Sequence, residues 1–179
     1  PPGAVTFNNL ALGKWQVSEV PSPPYNTPFW KPVGPIFQTV DVAAPGMNYA
    51  VTFVNEHLGC VDGYKINDLD QGLPGWQIEA KNKATGEIKQ LTTDAQGYFQ
   101  FFVSLGTWTL SETLQPGWTA VTPAQFDVDV TQAGACKRVR FKNHTDYACV
   151  DVWKKDYYNQ AVGVPNWPIQ LQPAYAATA

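Results

Sequence analysis

The chain has 179 residues, room for one large domain or two small ones, and its 44% hydrophobic content suffices for a packed core. Only 15% of residues are charged and the net charge is -3, which gives no electrostatic reason to bind nucleic acid or an anionic membrane. No apolar run approaches the ~20 residues of a membrane span, and the opening Pro1-Pro2-Gly3 reads as the start of a processed or excised piece.

Short aromatic and β-branched runs separated by Pro and Gly read as strands and turns throughout. In the first 58 residues the notable features are Leu12 to Glu19, Val51 to Asn55, and a Pro-rich stretch from Pro21 to Pro35 carrying Tyr25, Phe29 and Trp30. That stretch reads either as a lateral contact between neighbours or as a stiff loop. From residue 60 the elements are more regular. Tyr64-Lys65-Ile66 opens a strand, and Trp76 to Ala80 alternates apolar with polar as a half-buried strand does. Asn82 to Gly86 is a turn, followed by a strand at Ile88 to Thr92. Strands at Tyr98 to Phe102 and Thr107 to Ser111 are joined through Gly106. Gln115-Pro116-Gly117 is a turn, and strands at Phe126 to Val130 and Lys137 to Phe141 close the segment. About seven strands with turns every 8–12 residues predict an all-β fold, an immunoglobulin-like sandwich.

The chain also repeats itself. Leu12-Gly13-Lys14-Trp15-Gln16-Val17-Ser18-Glu19 matches Leu105-Gly106-Thr107-Trp108-Thr109-Leu110-Ser111-Glu112. Val51-Thr52-Phe53-Val54-Asn55 matches Val139-Arg140-Phe141-Lys142-Asn143. Cys60 to Lys65 matches Cys149 to Lys154, and Leu73 to Ile78 matches Val164 to Ile169. The offsets are 93, 88, 89 and 91 residues. Residues 1–58 therefore read as the C-terminal half of a sandwich repeat, 59–145 as a complete repeat, and 146–179 as the N-terminal half of the next. The split repeat would be completed by residues 1–58 of an adjoining copy, in a tandem chain or a noncovalent assembly. Left alone, it would expose half a core and raw strand edges.

The intact repeat resembles the Cna-B-type and Sdr-B-type domains of bacterial surface proteins, which are prealbumin-like, immunoglobulin-like sandwiches. The resemblance rests on Gly63-Tyr64-Lys65-Ile66-Asn67-Asp68, Gly72-Leu73-Pro74-Gly75-Trp76, Thr93 to Phe99, Gly106 to Glu112, Pro116-Gly117-Trp118 and Phe141-Lys142-Asn143. It implies a non-enzymatic repeat unit of an extracellular filament, stalk or pilus-like fibre that self-associates or continues as a tandem chain. The rival readings are an adhesin module, with a glycan or host protein as partner, and an accessory domain of a secreted enzyme. The resemblance further implies a self-formed isopeptide bond between a first-strand Lys and a last-strand Asn, with an acid relaying protons. By position these are Lys65, Asn143 and Glu112, and in the split repeat Lys154, Asn55 and Glu19. Lys155 competes with Lys154 for that role. The chemistry suits these types, because burial favours the neutral amine of a lysine and the protonated form of a carboxyl. The bland alternative is lysines reaching solvent, an Asn capping a strand and an exposed acid.

Other constellations are weaker. Asn143-His144-Thr145 is an N-glycosylation acceptor pattern, which needs an exposed Asn. Asp62, Asp68 and Asp70 lie where relatives of the Sdr-B type carry a calcium loop, but the acids are too few, and a solvated turn is the better reading. No metal or cofactor set is expected. Cys60 and Cys136 fall in strands expected to be neighbours and can bridge, leaving Cys149 free or for another chain; three buried thiols is the alternative. Trp15, Trp76, Trp108 and Trp167 read as packing residues. Trp30, Trp118 and Trp153 read as a sugar-binding face or an inter-domain contact.

Overall fold

The computed structural model describes residues 3–148 and 150–172, so Cys149 and the chain ends lie outside the described residues. Among the described residues it is all-β, with twelve strands and no helix. The first four strands are β1 (Gly13–Ser18), β2 (Trp30–Pro32), β3 (Phe37–Val42) and β4 (Asn55–His57). The rest are β5 (Gly59–Ile66), β6 (Gln77–Asn82), β7 (Ile88–Thr92), β8 (Tyr98–Val103), β9 (Gly106–Glu112), β10 (Trp118–Ala120), β11 (Gln125–Val130) and β12 (Cys136–Thr145). The chain divides into two compact units, Pro1–Asp146 and Tyr147–Ala179.

Strands β5 to β12 form a sandwich of two four-stranded sheets, ordered β10-β12-β5-β8 and β11-β9-β6-β7. The period-2 alternation read from the sequence is the burial pattern: Phe99, Phe101 and Val103 point inward from β8, Trp108 and Leu110 from β9. They meet Val61, Ile78, Ala80, Val130 and Phe141 in one core. Trp108 is fully buried, and its ring N–H donates to the Ser104 carbonyl at 2.9 Å, so burying the indole leaves no orphan donor. The last strand, β12, lies parallel to β5, the strand that opens the sandwich, with Cys136 opposite Cys60 and Phe141 opposite Lys65. Gly63 permits this close parallel approach, because a Cβ there would sit 2.3 Å from the Val139 carbonyl oxygen. Cys60 and Cys136 are joined as a disulfide, with Cα atoms 4.3 Å apart. The expected strands are present, several longer than read. Strand β10 was not read, because its three residues sit among turn signals.

In residues 3–58 the same pairings recur. Strand β1 pairs β3 with Gly13 opposite Val42 and Trp15 opposite Val40, as β9 pairs β11 with Gly106 opposite Val130 and Trp108 opposite Val128. Strand β2 pairs β4 with Pro32 opposite Asn55, as β10 pairs β12 with Ala120 opposite Asn143. Trp15 Nε1 donates to the Ala11 carbonyl at 2.9 Å, the counterpart of the Trp108 bond. Burial is what differs: Trp15 is 39% exposed where Trp108 is 0%. The Pro-rich stretch packs on the chain itself, with Phe29 edge-on to Phe102 at 4.9 Å and Trp30 stacked on His57 at 4.3 Å. Trp118 likewise packs edge-on to Trp76, at 5.7 Å.

In the second unit, residues 147–172, Lys155 bridges Gly163 as Ile66 bridges Gly72. The Val164 N–H donates to the Lys154 carbonyl at 3.0 Å, as that of Leu73 does to the Lys65 carbonyl at 2.8 Å. Asn166 takes φ 57° where Gly75 takes 75°. The apolar side chains are bare: Val150 67% and Ile169 53% exposed, against 0% for Val61 and Ile78.

Truncating Trp108 to Ala removes the largest fully buried side chain and should destabilise the chain by about 3–5 kcal/mol, measured by guanidinium unfolding. Cys136→Ser opens a covalent loop with a separation of 76 residues and should cost ~2–4 kcal/mol in the same assay.

Candidate functional site

The structure brings Lys65, Glu112 and Asn143 together in the interior of the sandwich, with relative exposures of 0%, 8% and 0%. Each arrives there by strand geometry. Lys65 lies near the end of β5, and its partner across the parallel ladder is Phe141. Asn143 is two residues beyond Phe141, so it projects from the same face as Lys65. Glu112 ends β9 in the opposite sheet, opposite Ile78, and enters from the other side. The backbone of Lys65 is pinned: its N–H donates to the Gly97 carbonyl at 2.8 Å and its carbonyl accepts from Leu73 at 2.8 Å. Gly97 sits at φ +74° in the turn that makes this possible, and a Cβ there would lie 2.3 Å from the Lys65 oxygen.

Glu112 Oε2 lies 2.7 Å from Lys65 Nζ and accepts from Asn143 Nδ2 at 3.3 Å. The approach of Nζ is close but poorly directed for a hydrogen bond. Among the described residues Glu112 Oε1 and Asn143 Oδ1 lack a hydrogen-bond partner, and Lys65 Nζ has its close contact with Glu112 Oε2. Trp76 covers the amine, its ring centroid 4.3 Å from Nζ. Removal from water pushes the Lys65 amine below its ordinary range, while the hydrogen-bonding and charge of Glu112 act the other way. Two buried oxygens without a donor, beside a buried ion pair, are unusual in a native core. The arrangement holds an amine biased toward its neutral form, an amide, and a carboxyl touching both. A neutral amine can act as a nucleophile, an amide carbon as an electrophile and a carboxyl as a proton carrier.

The second set is divided. Asn55 Nδ2 donates to Glu19 Oε1, as Asn143 does to Glu112, in a part-buried position within the first unit. Lys154 belongs to the second unit, exposed, with Nζ 4.6 Å from the Trp167 ring centroid. That is the counterpart of Lys65 over Trp76. Lys155 takes the place of Ile66 instead.

The remaining expectations resolve locally. Asn143 is fully buried, so a glycan on the Asn143-His144-Thr145 pattern does not fit this fold. Asp62 is buried and accepts from Arg138 at 2.6 and 3.2 Å, a pair the sequence reading missed although the two residues are opposite each other on β5 and β12. Asp70 pairs with Lys142 at 3.2 Å. Among the described residues no group of His, Cys, Asp and Glu could hold a metal ion. No helix is long and apolar enough to cross a membrane.

No family model matches the sequence, and no curated protein matches it. Solved structures similar to it include the TIE protein of Bacillus anthracis, at 20% identity over 76% of this chain and 26% of that one, with TM-score 0.45. A minor pilin of Streptococcus agalactiae is similar at 18% identity over 82% and 65%, TM-score 0.43. The major pilin subunit BcpA of Bacillus cereus is similar at 14% identity over 62% and 34%, TM-score 0.42. This chain thus spans between 26% and 65% of these three chains. Likeness of this degree concerns general shape only.

The lowered Lys65 pKa makes a signed expectation. In Asn143→Ala, where no crosslink can form, Lys65 binds its proton less tightly folded than unfolded. Below the folded pKa the buried ammonium penalises folding in full. The penalty fades as pH climbs from the folded pKa toward the ordinary value of about 10.4. The stability gap between Asn143→Ala and Asn143→Ala/Lys65→Met, read by urea unfolding, should therefore narrow from pH 7 to pH 10.

Proposed function

We propose that this chain is a non-enzymatic structural unit of an extracellular, pilus-like surface fibre, and that its intact sandwich locks itself with an isopeptide bond between Lys65 and Asn143. The observation that carries this reading is the buried triad: an amine, a carboxyl and an amide meet between the first and last strands of the sandwich. The sequence resemblance to bacterial surface repeats points the same way, and so does the recurrence of the strand pairings in residues 3–58.

The reaction is a single intramolecular condensation. Moving a proton from Lys65 to Glu112 removes two buried charges at once. The neutral Nζ attacks Asn143 Cγ, an amide bond forms, the bond from Cγ to Nδ2 breaks, and ammonia leaves. Glu112 hands the proton from the attacking amine to the departing nitrogen. Proximity does most of the work, since both reactants are buried on adjacent strands. The product ties β5 to β12, so tension along the chain meets a covalent link before it can shear the parallel pair. Copies of such a unit, joined end to end, make a fibre resistant to force and proteolysis.

The expected intact mass of the chain is lower than that of its sequence by one ammonia, about 17 Da, for the Lys65–Asn143 bond, after the disulfide is reduced. Lys65→Arg and Asn143→Ala should both restore this mass. Glu112→Gln should slow or abolish the loss while leaving the fold. A full mass with a folded protein would overturn the crosslink. With the disulfide already closing most of the loop, losing the bond should cost about 3 kcal/mol, the entropy of the short ring the two ties enclose, and show as earlier unfolding and faster trypsin digestion.

A further inference from the structure

We infer that the joint between copies is covalent as well: Lys154 of one copy condenses with Asn55 of another, with Glu19 carrying the proton. This rests on the fibre reading and names its contact surface. The occupant is fixed by a template inside the same chain, the finished sandwich of residues 59–145.

Both halves of the second triad are already set. Asn55 and Glu19 are hydrogen bonded to each other on the first unit. They are part-buried at the ends of strands β1 and β4, and Trp15 on β1 is 39% exposed. Lys154 sits over Trp167 on the second unit, with the chain around it shaped like the chain around Lys65. In the finished sandwich, Phe141 lies opposite Lys65, and Asn143 follows two residues on. The corresponding pair is Phe53 opposite Lys154, with Asn55 two residues on. Residues 50–54 form no strand of their own, and Val54 is 54% exposed. That is the edge a parallel strand from a second copy would fill.

The apolar surfaces correspond as well. Val5, Phe7 and Trp15 are 79%, 65% and 39% exposed. Their counterparts Phe99, Phe101 and Trp108 are at most 4% exposed. On the other piece, Trp167, Ile169 and Leu171 are 58%, 53% and 79% exposed, whereas Trp76, Ile78 and Ala80 are buried. Each piece carries the half-core that the other lacks. Docking buries Lys154 as Lys65 is buried, which strips its amine of water and favours the nucleophilic form. The reaction balances as before: the amine joins Asn55 Cγ, the bond from Cγ to Nδ2 breaks, and ammonia departs. Each copy offers one amine and one amide at different sites, so the joint is heterologous and propagates into a linear polymer.

The test is denaturing gel electrophoresis of the purified 179-residue chain, boiled and reduced. The expected result is a ladder of multiples, with a branched peptide linking Lys154 to Asn55 in the digest. Lys154→Arg, Asn55→Ala and Glu19→Ala should each abolish the ladder, while Lys155→Arg should not. Mixing Lys154→Arg with Asn55→Ala supplies one intact amine and one intact amide, so the mixture should give a dimer and nothing larger. Boiled monomer that loses ammonia for the Lys65–Asn143 bond alone would overturn the covalent joint and leave the fibre reading standing. Boiled monomer that loses two would also overturn it, since the chain would then close on itself. A ladder that survives Lys154→Arg would overturn the assignment of the residues.

Discussion

Everything in the sandwich is arranged around one lysine that cannot reach water. Lys65 lies on the first strand, faces the core, and has its amine under Trp76 and against Glu112. A buried ammonium is costly unless it is paired, and even a paired one gains little net stability. The simplest way to remove that cost is to make the nitrogen neutral permanently, as an amide. The last strand runs parallel to the first, which brings Asn143, the proposed second reactant, to the same face. Gly63 and Gly97 are small for the sake of that geometry, one letting the strands close and the other letting a turn press on the Lys65 carbonyl.

The disulfide and the proposed isopeptide bond tie the same two strands in different places. Cys60 and Cys136 face each other near the start of the β5–β12 ladder, and Lys65 and Asn143 lie at its far end. A parallel pair of first and last strands is the contact with the longest loop between its members, and closing that loop opposes folding most. Two covalent ties on one ladder compensate for that entropy. Between them on the same ladder the exposed Arg138 pairs with the buried Asp62.

Much of this was legible in the residues. Alternation in Tyr98 to Phe102 and Phe126 to Val130 pointed to the sheets, and the resemblance to bacterial surface repeats pointed to Lys65, Glu112 and Asn143, whose types recur in the second repeat. Trp76 as the cover over the amine was not legible, since an aromatic after Pro74-Gly75 reads only as packing. Strand β10 was too short to carry a period. The Arg138–Asp62 pair was not legible, because the two residues are 76 apart and only the parallel register joins them. The separation of Glu19 and Asn55 from Lys154 was visible as sequence order. Their preformed geometry was not, because a half-site has no core of its own to leave a pattern.

The central claim, that a covalent bond joins Lys65 to Asn143 in the folded chain, is tested most directly by tandem mass spectrometry of a protease digest of the reduced protein. The expected finding is a branched peptide in which Lys65 Nζ is acylated by Asn143, with no linear peptide carrying an unmodified Lys65. Recovery of both residues in separate, unmodified linear peptides from folded protein would contradict it.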